Sequence, residues 1–346
     1  MKKRITAVIL CLCILLPVLT GCNGSKGKKD VFSDSTNHLT NENATKEARV
    51  VYNYILQVYG NSILTGQQES TWEGGEFYEV NYIEENTGKK PAILGLDFMN
   101  DDFYGCVKRA KSWWKQGGIV TICWHCGSDF FGSWDEAMDS DVEDWDAMLT
   151  EGTPEYQEMI KGMDKAAKAL SLLQDEGIPV LWRPFHEMDG GWFWWGKGWA
   201  EKFKKLWTIM YDRYTNHWQL NNLIWVLGYS TAGMDYKDWY PGDEYVDIAG
   251  ADSYGGGAQA SMYRKVKDVV EDRKPICFHE CGTNPTVEEL ASSGAKWCYF
   301  MTWHTNYLTQ KNEPELLKEL YNSDYVITLD ELPAFTDEQK NTSQAS

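Results

Sequence analysis

Basic residues are scarce in this sequence. Lys and Arg number 33 against 51 Asp and Glu, a net charge of −18 over 346 residues. A surface this acidic repels nucleic acids and anionic polysaccharides and suits a neutral partner. No Gly-rich phosphate loop follows any candidate strand, which counts against a doubly wound nucleotide-binding sheet. No Ser-centred elbow appears, so serine nucleophile chemistry is set aside. No histidine spacing repeats a zinc protease motif and no metal triad is apparent. Cys123 and Cys126 form a C-x-x-C, but no second pair accompanies it and its context is not that of a redox motif. The N-terminal apolar run "ITAVILCLCILLPVL" is, at roughly 15 residues, short for a membrane span.

That run is an address. Lys2, Lys3 and Arg4 precede it and "LTGC" closes it. The ending resembles the lipobox of bacterial lipoproteins, which implies cleavage before Cys22 and lipidation of its thiol. Loss of residues 1–21 moves the net charge from −18 to about −21. Residues 22–45 are polar and aperiodic and read as a flexible tether. The protein is thus expected outside the cytoplasm, held to a bacterial membrane by a lipid anchor and otherwise monomeric. Cys106, Cys123, Cys126, Cys277, Cys281 and Cys298 remain. They are expected as small buried thiols. An oxidising compartment would permit a disulfide, and the sequence pairs none.

From residue 46 to residue 335 the pattern alternates. "KEARVVYNYILQVYG" has helical spacing, with Thr45 placed to cap it and Gly60 to end it. Eight short apolar runs follow, at 62–67, 92–97, 118–125, 178–187, 222–230, 246–254, 274–280 and 295–304. Most are separated by amphipathic stretches, of which 154–177 is the longest. Strands alternating with helices predict right-handed crossovers and a parallel sheet. Eight of them predict a (β/α)8 TIM barrel, with an open doubly wound sheet as the alternative. Residues 336–346 are expected to form a disordered tail.

In such a barrel the strand C-termini carry the chemistry. There the sequence places Trp124 and His125, then Arg183, His186, Glu187 and Trp192, then Asp252 and Tyr254, then Glu280, and finally Trp303 and His304. Aromatics reach 14%, with 17 Trp and 19 Tyr. They serve either a Trp-rich core or a cleft lined with rings, whose negative faces stack on the C–H faces of sugars. Trp194 and Trp195 read as rim packing. A carboxyl pair on strands four and seven suits glycoside hydrolysis, one acid protonating the leaving oxygen while the other attacks or activates water. No cofactor or metal is called for.

Here a family resemblance enters. "RPFHEMDGGWFWWG" (183–196) resembles the acid/base segment of glycoside hydrolase family 26, mostly endo-β-1,4-mannanases. "PICFHECG" (275–282) resembles its nucleophile segment, and "GGIVTICWH" (117–125), "ADSY" (251–254) and the Trp after strand eight also fit. The likeness covers about residues 46–325. It implies a retaining mechanism on mannan, with Glu187 as acid/base and Glu280 as nucleophile. It also implies that His125, His186 and Asp252 bond sugar hydroxyls, that Tyr254 bonds the nucleophile, and that Trp303 and Trp192 stack on sugars. Arg183 is placed to hold Glu280 charged. Asp189 and Cys281 depart from the pattern. The alternatives are the same chemistry on another β-glucan or β-xylan, and a non-catalytic glycan-binding lipoprotein.

Overall fold

The computed structural model describes residues 39–337 and 339. The expected signal segment, Cys22 and much of the expected tether and tail lie outside the described residues. Eight parallel strands close on themselves: β1 (Ile63–Gln68), β2 (Ile93–Asp97), β3 (Ile119–Cys123), β4 (Val180–Arg183), β5 (Leu223–Tyr229), β6 (Ile248–Ser253), β7 (Ile276–Cys281) and β8 (Tyr299–Thr302). Each pairs with the next, and β1 pairs with both β2 and β8. The expected (β/α)8 barrel is therefore the fold. A two-residue strand β9 (Val326–Ile327) adds to the outer side of β1.

β1, β3 and β5 are buried along their whole length and mostly apolar because both faces are covered, by the barrel interior and by the helices outside. The helix Lys46–Val58 starts where Thr45 accepts from the Ala48 amide. The helix Pro154–Gln174 has Thr153 as its N-cap and Pro154 in its first turn. It buries Met159, Met163, Ala166, Ala167, Leu170 and Leu173 at helical spacing, the pattern of a helix with one face on a core.

The domain edges correct the sequence reading. Leu39 and Ala44 are buried, and the Thr40 amide donates to Asp247 Oδ1 at 2.6 Å. The ordered domain thus begins inside the expected tether. At the other end Phe335 stacks on Trp114 at 5.8 Å, and Gln339 Nε2 donates to the Trp114 carbonyl at 2.7 Å. A buried amide side chain with a fixed partner is packed structure, so residues 336, 337 and 339 are not a disordered tail.

Two irregularities aim side chains into the mouth. The β6–β7 register shifts between Ala251 and Asp252, and the β7–β8 register shifts between Phe278 and Cys281. Such shifts re-aim the residues beside them, here Asp252 and Glu280.

Candidate active site

The strand ends meet a cavity of about 610 Å³, walled by Trp72, Trp134, Trp192, Phe193, Trp303 and Tyr307. Glu280 is 1% exposed and is bonded to Tyr254, which lines the cavity. Its Oε1 accepts from Arg183 Nη1 at 2.5 Å and its Oε2 accepts from the Tyr254 hydroxyl at 2.7 Å. Arg183 is fully buried, and its Nη2 donates to Gln68 Oε1 at 2.6 Å. One guanidinium thereby joins β4, β7 and β1. Gly95 leaves room for this: a Cβ there would fall 2.3 Å from Gln68 Oε1.

Glu187 sits on the loop after β4 in left-handed backbone, φ 53°. Its amide donates to the Gly228 carbonyl at 2.7 Å, which fixes this turn. Its Oε2 accepts from Trp192 Nε1 at 2.9 Å. Burial first, then the charges of Glu280 and Asp189, push its carboxyl up to about 8, while the indole bond pulls the other way.

Asp252 adds a third carboxyl. One of its oxygens lies within 4.8 Å of His186 and Glu187 atoms, and one within 4.8 Å of His279 and Glu280 atoms. His279 Nδ1 contacts Asp252 Oδ1 at 2.7 Å. A Cβ at Gly228 would fall 2.6 Å from the His279 ring, so that glycine admits the imidazole. Burial, then Glu280 and Glu187, raise the Asp252 carboxyl well above its usual range. His186 Nε2 lies 3.5 Å from Glu280 Oε1. Burial and the charges of His125, Arg183 and His279 hold His186 far below the usual histidine range, hence neutral. His125 Nδ1 meets Asp97 Oδ2 at 2.6 Å, and the His125 amide donates to Asp97 Oδ1 at 3.0 Å. Burial opposes ionisation of Asp97, yet His125 holds its carboxyl below the usual value.

Among the described residues, three sets of side chains have the spacing to hold a cation: Asp97, Cys123 and His125; His186, Glu187 and Asp252; and Asp252, His279 and Glu280. The third already has the Arg183 guanidinium on Glu280, and the first has Asp97 on His125. A metal would have to displace those bonds.

The cavity gathers Glu187, His125, Trp192, Asp252, Tyr254 and Trp303 as the sequence suggested. Arg183 holds Glu280, the partner the sequence suggested. His186, expected to bond a sugar hydroxyl, is buried with its Nε2 3.5 Å from Glu280 Oε1 and does not line the cavity. Trp124 also leaves the mouth, buried among Phe98, Phe103 and Phe130. Trp194 and Trp195 are fully buried, donating to the Cys126 and His186 carbonyls. Sequence reasoning passed over Asp97, Gln68 and His279. Asp97 and Gln68 end strands and His279 adjoins Glu280, a usable signal. It also passed over Trp72, on the loop after β1, and Trp134, which opens the short helix Trp134–Asp139, neither of them at a strand end.

Comparison with known proteins follows the same line. The family model described as Glycosyl hydrolase family 26 matches residues 40–331. A mannan endo-1,4-beta-mannosidase of Thermothelomyces thermophilus is 35% identical over 325 residues, 86% of this chain and 64% of the relative. Mannan endo-1,4-beta-mannosidase B of Piromyces sp is 34% identical over 89% of this chain and 56% of its own length. This chain thus spans less than two thirds of these relatives. Among solved structures, a Podospora anserina GH26-CBM35 beta-(1,4)-mannanase superposes with TM-score 0.77 at 34% identity, over 87% of this chain and 70% of that one. A beta-mannanase from a symbiotic protist of the termite Reticulitermes speratus, complexed with gluco-manno-oligosaccharide, gives 0.79 at 31%, over 87% and 100%.

Proposed function

We propose that this chain, which belongs to glycosyl hydrolase family 26, hydrolyses β-1,4-mannosidic bonds of mannan-type polysaccharides or manno-oligosaccharides with net retention. The observation that carries this is the unlike settings of two carboxyls under one ring-lined cavity. Glu280 has a guanidinium and a phenol on its two oxygens, while Glu187 keeps its proton up to about pH 8. A retaining enzyme needs that division.

In the proposed reaction Glu280 attacks the anomeric carbon as Glu187 gives its proton to the glycosidic oxygen. The C–O bond breaks, the alcohol leaves, and a glycosyl ester on Glu280 remains. Glu187, now anionic, takes a proton from water. The water oxygen attacks the same carbon from the opposite side and frees Glu280. Arg183 and Tyr254 hold Glu280 and stabilise its charge when the ester breaks. The neutral His186 lies close to both acids. His125 and Asp252 face the cavity as hydroxyl partners, and Trp303 and Trp192 offer ring faces to sugar C–H groups. The mannan named for the relatives supports the substrate class. Incubation with mannohexaose and galactomannan, with the first-formed anomer read by NMR, tests the proposal. The β-anomer is expected. The α-anomer, or turnover confined to β-glucan or β-xylan, overturns it.

We further propose that Cys22 is lipidated and anchors the domain to a membrane outside the cytoplasm; the order of basic residues, apolar run and "LTGC" supports this. Cys22→Ala is expected to abolish membrane retention and keep hydrolysis. Retention of that variant in the membrane fraction contradicts the anchor.

A further inference from the structure

Glu79 lies in the first turn of the helix Tyr78–Thr87 and is fully buried. Its two oxygens serve two different loops. Oε2 accepts from the Ser70 amide at 3.2 Å, just past β1, and Oε1 accepts from the Thr305 amide at 3.1 Å, just past β8. These loops carry the β8–β1 wall of the cavity. Trp72 stands two residues after Ser70, while Trp303 and His304 immediately precede Thr305. The Trp72 and His304 rings meet edge to face at 4.8 Å, and His304 lies 4.7 Å from Trp303.

Thr305 has φ 53° and ψ −125°, a conformation hostile to a β-branched residue. Strain of that kind persists only where the surroundings over-determine it. The bond from its amide to Glu79 is one such restraint. A neighbouring acid, Glu69, supports the same corner by accepting from the Phe77 amide at 2.6 Å. Burial first, and then the Glu79 charge, push the Glu69 carboxyl up to about 8 against the pull of Arg109. Two buried acids thus bind backbone amides at this one corner.

We propose that Glu79 is a positioning residue for substrate: its carboxylate ties the loop carrying Trp72 to the loop carrying Trp303 and His304, and so sets the width and facing of the β8–β1 wall. Glu79 does not line the cavity, so it acts only through those rings. This rests on the glycan-cleaving function proposed above.

The chemistry selects the test. Two backbone N–H groups need two acceptors. Glu79→Gln keeps the shape but turns an amide NH₂ toward one of them, leaving a donor facing a donor. KM for mannohexaose is expected to rise about tenfold, the usual scale for one buried hydrogen bond of about 1.4 kcal/mol. kcat should stay within about twofold, since the bonds on Glu280 and Glu187 are untouched. Exposed Trp72 can be cut without touching the core. In a Trp72→Ala background Glu79→Gln should add less than about twofold, because both act through one wall. A lower melting temperature with unchanged KM, or equal losses in kcat and kcat/KM, overturns the proposal. Hydrogen exchange of the peptides holding Ser70 and Thr305 provides a reading independent of substrate. Faster exchange there, and not elsewhere, is expected, and its absence overturns the clamp even if mannan is not the substrate. Should Glu79→Gln not fold, Glu79→Asp, one methylene too short to reach both amides, is read by the same measurements.

Discussion

Glu280 and Glu187 differ less in chemistry than in what holds them. Glu280 comes from a strand end and takes bonds from Arg183 and Tyr254, with Gln68 fixing the guanidinium from the far side. Glu187 comes from a turn in left-handed backbone, and its carboxylate accepts a hydrogen bond from the Trp192 indole. The first acid has a guanidinium and a phenol on its oxygens; the second has an indole and lies among other carboxyls. Burial and neighbouring negative charge raise the Glu187 carboxyl, so the two acids of one barrel are set apart by what surrounds each.

Removing either acid breaks the comparison outright. Glu280→Ala is expected to lower kcat for mannan by roughly 10⁴-fold or more, as loss of a covalent nucleophile does, and to leave binding measurable by calorimetry. Glu187→Ala should lower polymer hydrolysis by roughly 10²- to 10⁴-fold, the range for a lost general acid. It should spare glycosylation by activated aryl mannosides, and azide should restore turnover as the β-glycosyl azide. Absence of that product removes Glu187 from the acid/base role.

Smaller changes sharpen the comparison. Trp192→Phe deletes the N–H bond that favours the Glu187 anion. The Glu187 proton should then be held to higher pH, and the alkaline limb of kcat/KM should move up by about half to one unit. The smallest effect is one of stability. Folded Glu187 titrates near 8 against an ordinary value of 4.5. Between those values the folded form holds the extra proton, so stability from this group falls as pH rises from about 4.5 to about 8. Glu187→Gln removes that penalty. Its melting temperature should rise by a few degrees at pH 8 and stay level at pH 4. An equal rise at both pH values would assign the effect to packing instead.

The barrel was legible because parallel strands covered on both faces are written as apolar runs, and because Thr45, Gly60 and Gly177 punctuate the helices between them. The acid pair was legible for the same reason: a strand end has a known direction. Arg183 was read with the right partner, since both residues lie at strand ends that face one mouth. The depth of His186 was not legible, because a sequence gives the strand position of a side chain and not its burial. Trp72 and Trp134 were illegible because one lies on a loop and the other on a helix of six residues, too short to show a period, and only the fold brings them to the cavity. The domain edges were misread because polar residues such as Asn41 and Gln339 are buried here by hydrogen bonds that composition does not reveal.

The cysteines of the barrel have a practical consequence. All six described thiols are free and buried, spread over the helix Phe103–Lys115, β3 and the turn after it, β7, and the approach to β8. Burial pushes each thiol well above its ordinary pKa, so in the native state they are poor nucleophiles as well as hidden. A thiol reagent therefore meets them only when the structure opens, and its rate of uptake is a clock for that opening. Because the six sites fall in two groups, one at β3 and its neighbouring helix and one at β7 and the approach to β8, mass-resolved labelling of each would time which of these two regions opens first. No probe would have to be added to the chain.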